Sequence, residues 1–130
     1  LVSVEKKEDK VIVTVGAGGA FPSGTAQLTP AAKKIMSNIA EINKKGSSTI
    51  KVTGHTDNVP LLFGSQYRDN WDLAAARAAS VVQNLQETNV IDAKRLIATS
   101  KGETQPIASN QTRQGRSKNR RIEIEINYGK

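Results

Sequence analysis

Cysteine is absent from the 130 residues, which removes disulfide frameworks, thiolate metal sites and cysteine nucleophiles together and leaves the redox compartment open. Histidine occurs once, at His55. Aromatic residues make up 4% of the chain, too few for a surface that reads nucleic-acid single strands by stacking their bases. No run approaches the ~20 consecutive apolar residues of a membrane-spanning helix, and no charged-then-apolar leader precedes a small-residue cleavage site. The chain begins at Leu1 rather than a methionine, so the expectation is a processed product or an excised fragment. What is present suits one compact domain: 37% hydrophobic residues in 130 can build a core without metal or disulfide staples. Nineteen basic residues against twelve acidic ones give a net charge of +7, which favours an anionic partner such as nucleic acid, a lipid surface or an acidic polymer.

The pattern divides into a solvated lead-in over residues 1–10 and one domain over 11–130. Val11, Val13 and Val15 alternate with Ile12 and Thr14 as a β-branched strand. The glycine-rich stretch 16–27, with Pro22, reads as a loop anchored by an inward Phe21. Thr29 and Pro30 are N-cap and first-turn signals, and Ala32, Ile35, Met36, Ile39 and Ile42 recur at helical spacing before a stop at Gly46. Ile50 and Val52 mark a second strand ending at Gly54. A second helix runs from Asp72 to about Thr88, capped by Asn70 or Asp69. A third strand covers Arg95 to Thr99, and a fourth follows where Ile122, Ile124 and Ile126 alternate with Glu123, Glu125 and Asn127. The expected fold is α/β, a two-layer βαβαβ(α)β sandwich with helices on one face of a small mixed sheet.

Gly54-His55-Thr56-Asp57-Asn58 lies where the second strand runs into a loop, a common ligand position in such folds. His55 and Asp57 supply two metal ligands at most, with no cysteine to complete a zinc set, and no spacing provides a nucleophile or partner acid for His55. A structural histidine is the default. Arg77 shares a helix face with Leu73 and Val81 and needs a partner. Two readings stand: an ion pair with Asp57 or Asp72, or recognition of a zwitterionic amino acid, with the guanidinium on its carboxylate and Asp57 on its ammonium. Arg113, Arg116, Lys118, Arg120 and Arg121 form a basic run, either a phosphate patch or a solvated face.

Gly54-His55-Thr56-Asp57, Asn70-Trp71-Asp72-Leu73 leading to Arg77-Ala78, Asn110, and Gly115 to Arg121 together resemble the OmpA-like peptidoglycan-binding domain from about Val11 to Asn127. Asn58-Val59-Pro60, Asn70-Trp71 and the segment from Phe21 to Ala26 look like the flagellar stator B subunits of the MotB and PomB type, with PomB-like members favoured. The resemblance implies that Asp57 and Arg77 hold the diaminopimelate of the peptide stem, that Asn70, Leu73 and Thr56 line the same pocket, and that Arg120 with a supporting loop of Gly115, Arg116 and Asn119 closes its side. It further implies a non-enzymatic wall anchor without cofactor or metal. That anchor would be a periplasmic domain of a single-pass inner-membrane protein, dimeric, partnered by a stator A subunit of the MotA or PomA type and by basal-body ring proteins, and without nucleic acid. Ala74 departs from the family's usual serine at that position. An outer-membrane porin or lipoprotein anchor of the same fold is the alternative; a nucleic-acid module and a wall hydrolase are weaker ones. Leu61, Leu62 and Phe63 are either a partner-contacting tip or fold back on the domain.

Overall fold

The computed structural model describes residues 2–129; Leu1 and Lys130, the outer ends of the expected lead-in and domain, lie outside the described residues. Five strands, β1 (Val2–Lys6), β2 (Lys10–Gly16), β3 (Thr49–His55), β4 (Leu96–Gly102) and β5 (Arg121–Asn127), form one sheet in the order β1-β2-β5-β3-β4. β3 and β4 are parallel and the other pairs antiparallel, so the sheet is mixed as expected. The last strand slots between β2 and β3, and Ile122, Ile124 and Ile126 are almost completely buried at its centre. Each such side chain contributes about 1.5–3 kcal/mol through removal from water.

Helices α2 (Pro30–Ile42) and α3 (Asn70–Glu87) supply the second layer. Met36, Ala40, Ala78, Val81 and Leu85 meet Val13, Val15, Ile50, Val52 and the three β5 isoleucines in one core. Thr29 caps α2, its side-chain oxygen accepting from Ala32 N at 3.2 Å, with Pro30 in the first position. α2 stops at Ile42 rather than near Gly46, because the Asn43 amide donates back to Ile39 O at 2.8 Å. Ile42 is exposed, because the buried stripe of the helix runs through Ala32, Met36, Ile39, Ala40 and then Asn43.

Two segments differ from the sequence expectation. Within the expected lead-in, Val2–Lys6 is an edge strand, Val4 pairing with Val13 of β2. All five of its side chains are exposed, so it carries no burial signal. Within the expected loop, Ala17–Ala20 forms a four-residue helix, α1. Gly18 and Gly19 hide it from any propensity argument; burial of Ala17 and Ala20 and a bond from Ala17 N to Arg120 O at 2.9 Å hold it. Phe21, which follows, is buried in the core.

Candidate functional site

β3 delivers its C-terminal residues to a cleft between the α1–α2 connection, the start of α3 and the segment before β5. Strand and helix touch at Gly54, where a Cβ would stand 2.1 Å from Ala74 O. That contact sets how far α3 lies from the Thr56–Asp57 turn. The turn is pinned by Thr56 N donating to Gly102 O at 2.8 Å and by the Thr56 hydroxyl donating to Asp57 O at 2.8 Å. Asp69, not Asn70, caps α3, accepting from Asp72 N at 2.9 Å. Asn70 is thereby free to brace the turn, its amide donating to Asp57 O at 3.3 Å and Val59 O at 3.1 Å.

The charges are arranged unevenly. Asp57, nearly buried, accepts from Val59 N at 3.0 Å through Oδ1 and pairs with Arg120 Nη1 at 2.6 Å through Oδ2. Arg77 is 5% exposed, donates from Nε to Thr25 O at 2.8 Å, and lies 4.9 Å from the centroid of the Phe21 ring. Among the described residues no carboxylate reaches ion-pair distance of it. The expected ion pair with Asp57 or Asp72 therefore does not form: Arg120 occupies Asp57, and Asp72 Oδ2 accepts from Arg68 N at 2.9 Å. Burial pushes the Arg77 guanidinium below the usual arginine range, Tyr67 raising it and Arg120 lowering it further. Arginine still keeps its proton. A desolvated cation whose only recorded hydrogen bond is the one from Nε therefore lines the cleft, and a planar guanidinium fork is suited chemically to a carboxylate.

Thr56, Asp57, Asn70, Leu73, Arg77 and Arg120 all line this cleft, which encloses ≈ 680 Å³. Gly115, Arg116 and Asn119 do not. They fold the 105–119 segment, which includes α4 (Arg113–Asn119). Asn119 is fully buried, accepting from Ile107 N and Ala108 N and donating to Ala108 O and Asn110 Oδ1 at 2.7–3.0 Å. Arg116 donates to Asn110 O at 2.9 Å, and a Cβ on Gly115 would lie 1.8 Å from Ser109 O. Phe21, Ser23, Gly24 and the Thr25 carbonyl also belong to the site's surroundings. Nothing in the residue types announced the carbonyl, since it is backbone.

Behind the cleft, on the sheet face away from the helices, His55 is buried with Nε2 3.4 Å from Glu123 Oε1, too poorly aligned for a hydrogen bond; neither ring nitrogen has another partner among the described residues. Arg121 is buried beside it, donating to Glu123 at 2.7 Å and to Asn119 O and Gln105 O at 3.0 Å. Contact with His55 first, then Arg121, draws the Glu123 carboxyl down to about 2 against the cost of its burial. Among the described residues no three His, Cys, Asp or Glu side chains gather to hold a metal, and no helix is long and apolar enough to cross a membrane.

The chain is 40% identical over 120 residues to Motility protein B of Bacillus subtilis, covering 89% of this chain and 44% of that protein. It is 36% identical over 109 residues to Peptidoglycan-binding protein ArfA of Mycobacterium tuberculosis, covering 83% of this chain and 32% of the relative. It thus spans about half the length, or less, of the curated relatives it matches. Among solved structures, the cell wall anchor of the type VI secretion system (T6SS) of Pseudomonas aeruginosa superposes with a TM-score of 0.86 at 34% identity, covering 97% of this chain and 87% of that one. The periplasmic domain of Helicobacter pylori MotB gives 0.85 at 28% identity, with 97% and 81% covered. The model of the OmpA family matches residues 20–120, which takes in β3, α3, β4, α4 and every cleft residue named above; the chain belongs to the OmpA family.

Proposed function

We propose that this chain binds peptidoglycan without covalent chemistry, gripping the zwitterionic end of a diaminopimelate side chain in its stem peptide. The observation that carries the reading is Arg77: a buried guanidinium with no carboxylate of its own, in one cleft with Asp57. The ligand carboxylate takes the open face of Arg77 as a two-pronged hydrogen bond. Its ammonium approaches Asp57, whose carboxylate has lone pairs beyond those used by Val59 N and Arg120. Thr56 and Asn70 hold the turn, and Leu73 packs on the ligand's methylenes. Nothing in the arrangement requires bond breaking, so the role is anchorage rather than catalysis.

The likeness to Motility protein B supports the finer reading, a stator B subunit of the flagellar motor whose periplasmic domain fixes an inner-membrane complex to the wall. In that reading it works as a dimer with a stator A subunit and meets basal-body ring proteins. A second reading keeps the same pocket in the wall anchor of another envelope assembly, favoured by the likeness to the cell wall anchor of the T6SS. Sedimentation with insoluble cell-wall sacculi tests the shared claim. The wild-type chain co-sediments, whereas Asp57→Ala and Arg77→Ala stay in solution with unchanged circular dichroism; retention of both folded variants on the sacculi defeats it. Motility of cells carrying the same substitutions in the whole protein separates the stator from the second reading.

A further inference from the structure

The charges that line the cleft do not balance. Among the described residues, Asp57 is its one carboxylate, and Arg77 and Arg120 are its two cations. The mouth adds no charge: Leu62 and Phe63 stand there exposed, and neither folds back on the domain. A zwitterionic headgroup is neutral, so it leaves one positive charge unmatched. With Arg77 on the headgroup carboxylate and Asp57 on the ammonium, the surplus falls to Arg120. Its backbone is fixed at the junction of α4 and β5, Arg120 N donating to Arg116 O at 3.1 Å and Arg120 O accepting from Ala17 N at 2.9 Å. Its side chain makes one hydrogen bond among the described residues, from Nη1 to Asp57 Oδ2 at 2.6 Å, which leaves Nε and Nη2 with donors to spare. That side chain is 39% exposed, so a bound molecule can reach it. Burial lowers the Arg77 guanidinium most, and the Arg120 charge adds to the fall, which places the two cations close enough to repel. An anion seated against Arg120 relieves that repulsion.

We infer that Arg120 is a specificity-determining residue that takes a second stem carboxylate, beside the one on Arg77, and so makes the domain selective for stems whose carboxyls are free rather than amidated. Two guanidiniums and one carboxylate are complementary to a ligand with two carboxylates and one ammonium. The stem offers two sources for the second anion. One is the carboxyl at the peptide-linked centre of diaminopimelate when no residue follows it, and the other is that of the preceding γ-linked glutamate. Either becomes neutral as an amide, and a neutral amide leaves the Arg120 charge unmatched. The inference rests on the wall-binding reading and deepens it, since it makes the domain read the state of the stem and not its headgroup alone.

Calorimetric titration with soluble tripeptide stems ending in diaminopimelate tests it, comparing the free acid with stems amidated at the terminal carboxyl, at the glutamate carboxyl, and at both. The free acid binds the wild-type chain roughly five- to tenfold tighter than the doubly amidated stem, the scale of one partly exposed charge-assisted contact. Whichever single amide reproduces that loss identifies the carboxylate on Arg120. Arg120→Gln brings the ratio of free to doubly amidated stem close to one. A wild-type ratio near one overturns the proposal without recourse to any variant. So does a ratio that persists in Arg120→Gln: a residue that merely pins Asp57 weakens all the stems alike, and attraction by a net charge of +7 outlasts the loss of one cation. Acetylation of the headgroup ammonium reports on the headgroup reading separately: it weakens binding of the free acid, and if it changes nothing, that reading fails whatever the ratio does.

Discussion

Arg77 illustrates how a single side chain acquires a role from what it lacks. It is out of water, its Nε is engaged with Thr25 O, one face rests on Phe21, and no carboxylate among the described residues pairs with it. A lysine at this position keeps the charge but loses the planar fork and the stacking. Arg77→Lys is therefore expected to weaken wall-fragment binding by about tenfold or more, the worth of one charge-assisted hydrogen bond, with little change in the folded spectrum. Titration calorimetry beside circular dichroism measures both.

Glu123 answers to pH instead. Its folded carboxyl is held at about 2 against an ordinary value of 4.5, so the stabilisation is complete above pH 4.5 and is lost as pH falls towards 2. Glu123→Gln should flatten the acid limb of a stability-against-pH curve in that window, read by urea unfolding at successive pH values. The contribution is moderate because the carboxyl is a third exposed.

At the scale of elements, the site depends on the seam between β3 and α3. Gly54 lets the strand lie against the helix backbone, and any side chain there meets Ala74 O. Gly54→Ala is expected to cost about 1–3 kcal/mol and to weaken ligand binding as well, because α3 carries Arg77 while β3 leads into Asp57. A fall in melting temperature with unchanged affinity would mean that the seam does not set the site. The same elements show why some of the fold was legible. α2 and β5 are amphipathic with clear periods and signals at their ends, and they stand close to where the pattern puts them. β1 and α1 were not legible, since an exposed five-residue strand and a helix containing two glycines are fixed by neighbours rather than by their own composition.

For the whole molecule, the net charge of +7 suggested nucleic acid, yet much of the basic run is already engaged. Arg116 donates to Asn110 O, Arg120 pairs with Asp57, and Arg121 is buried against Glu123, leaving Arg113 and Lys118 exposed. Attraction of the whole surface for any anionic polymer is screened within about 3 Å at 1 M salt, whereas a bond made inside the cleft is not. Retention on sacculi should thus persist in 1 M salt, where adsorption to a nucleic acid is lost; salt-titrated sedimentation distinguishes the two. The sequence by itself determined the two-layer α/β class, the central strands, the start of α2 and the residue types of the cleft, because periodicity, caps and short motifs are local properties. Only the tertiary structure decided that Asp57 pairs with Arg120 and that Arg77 stands without a carboxylate. The partners lie 63 residues apart for the first, and the Thr25 carbonyl is 52 residues from Arg77 for the second. Which of several possible charges meet across such separations depends on strand order and on the backbone approach at Gly54, and neither is written in any local stretch of the chain.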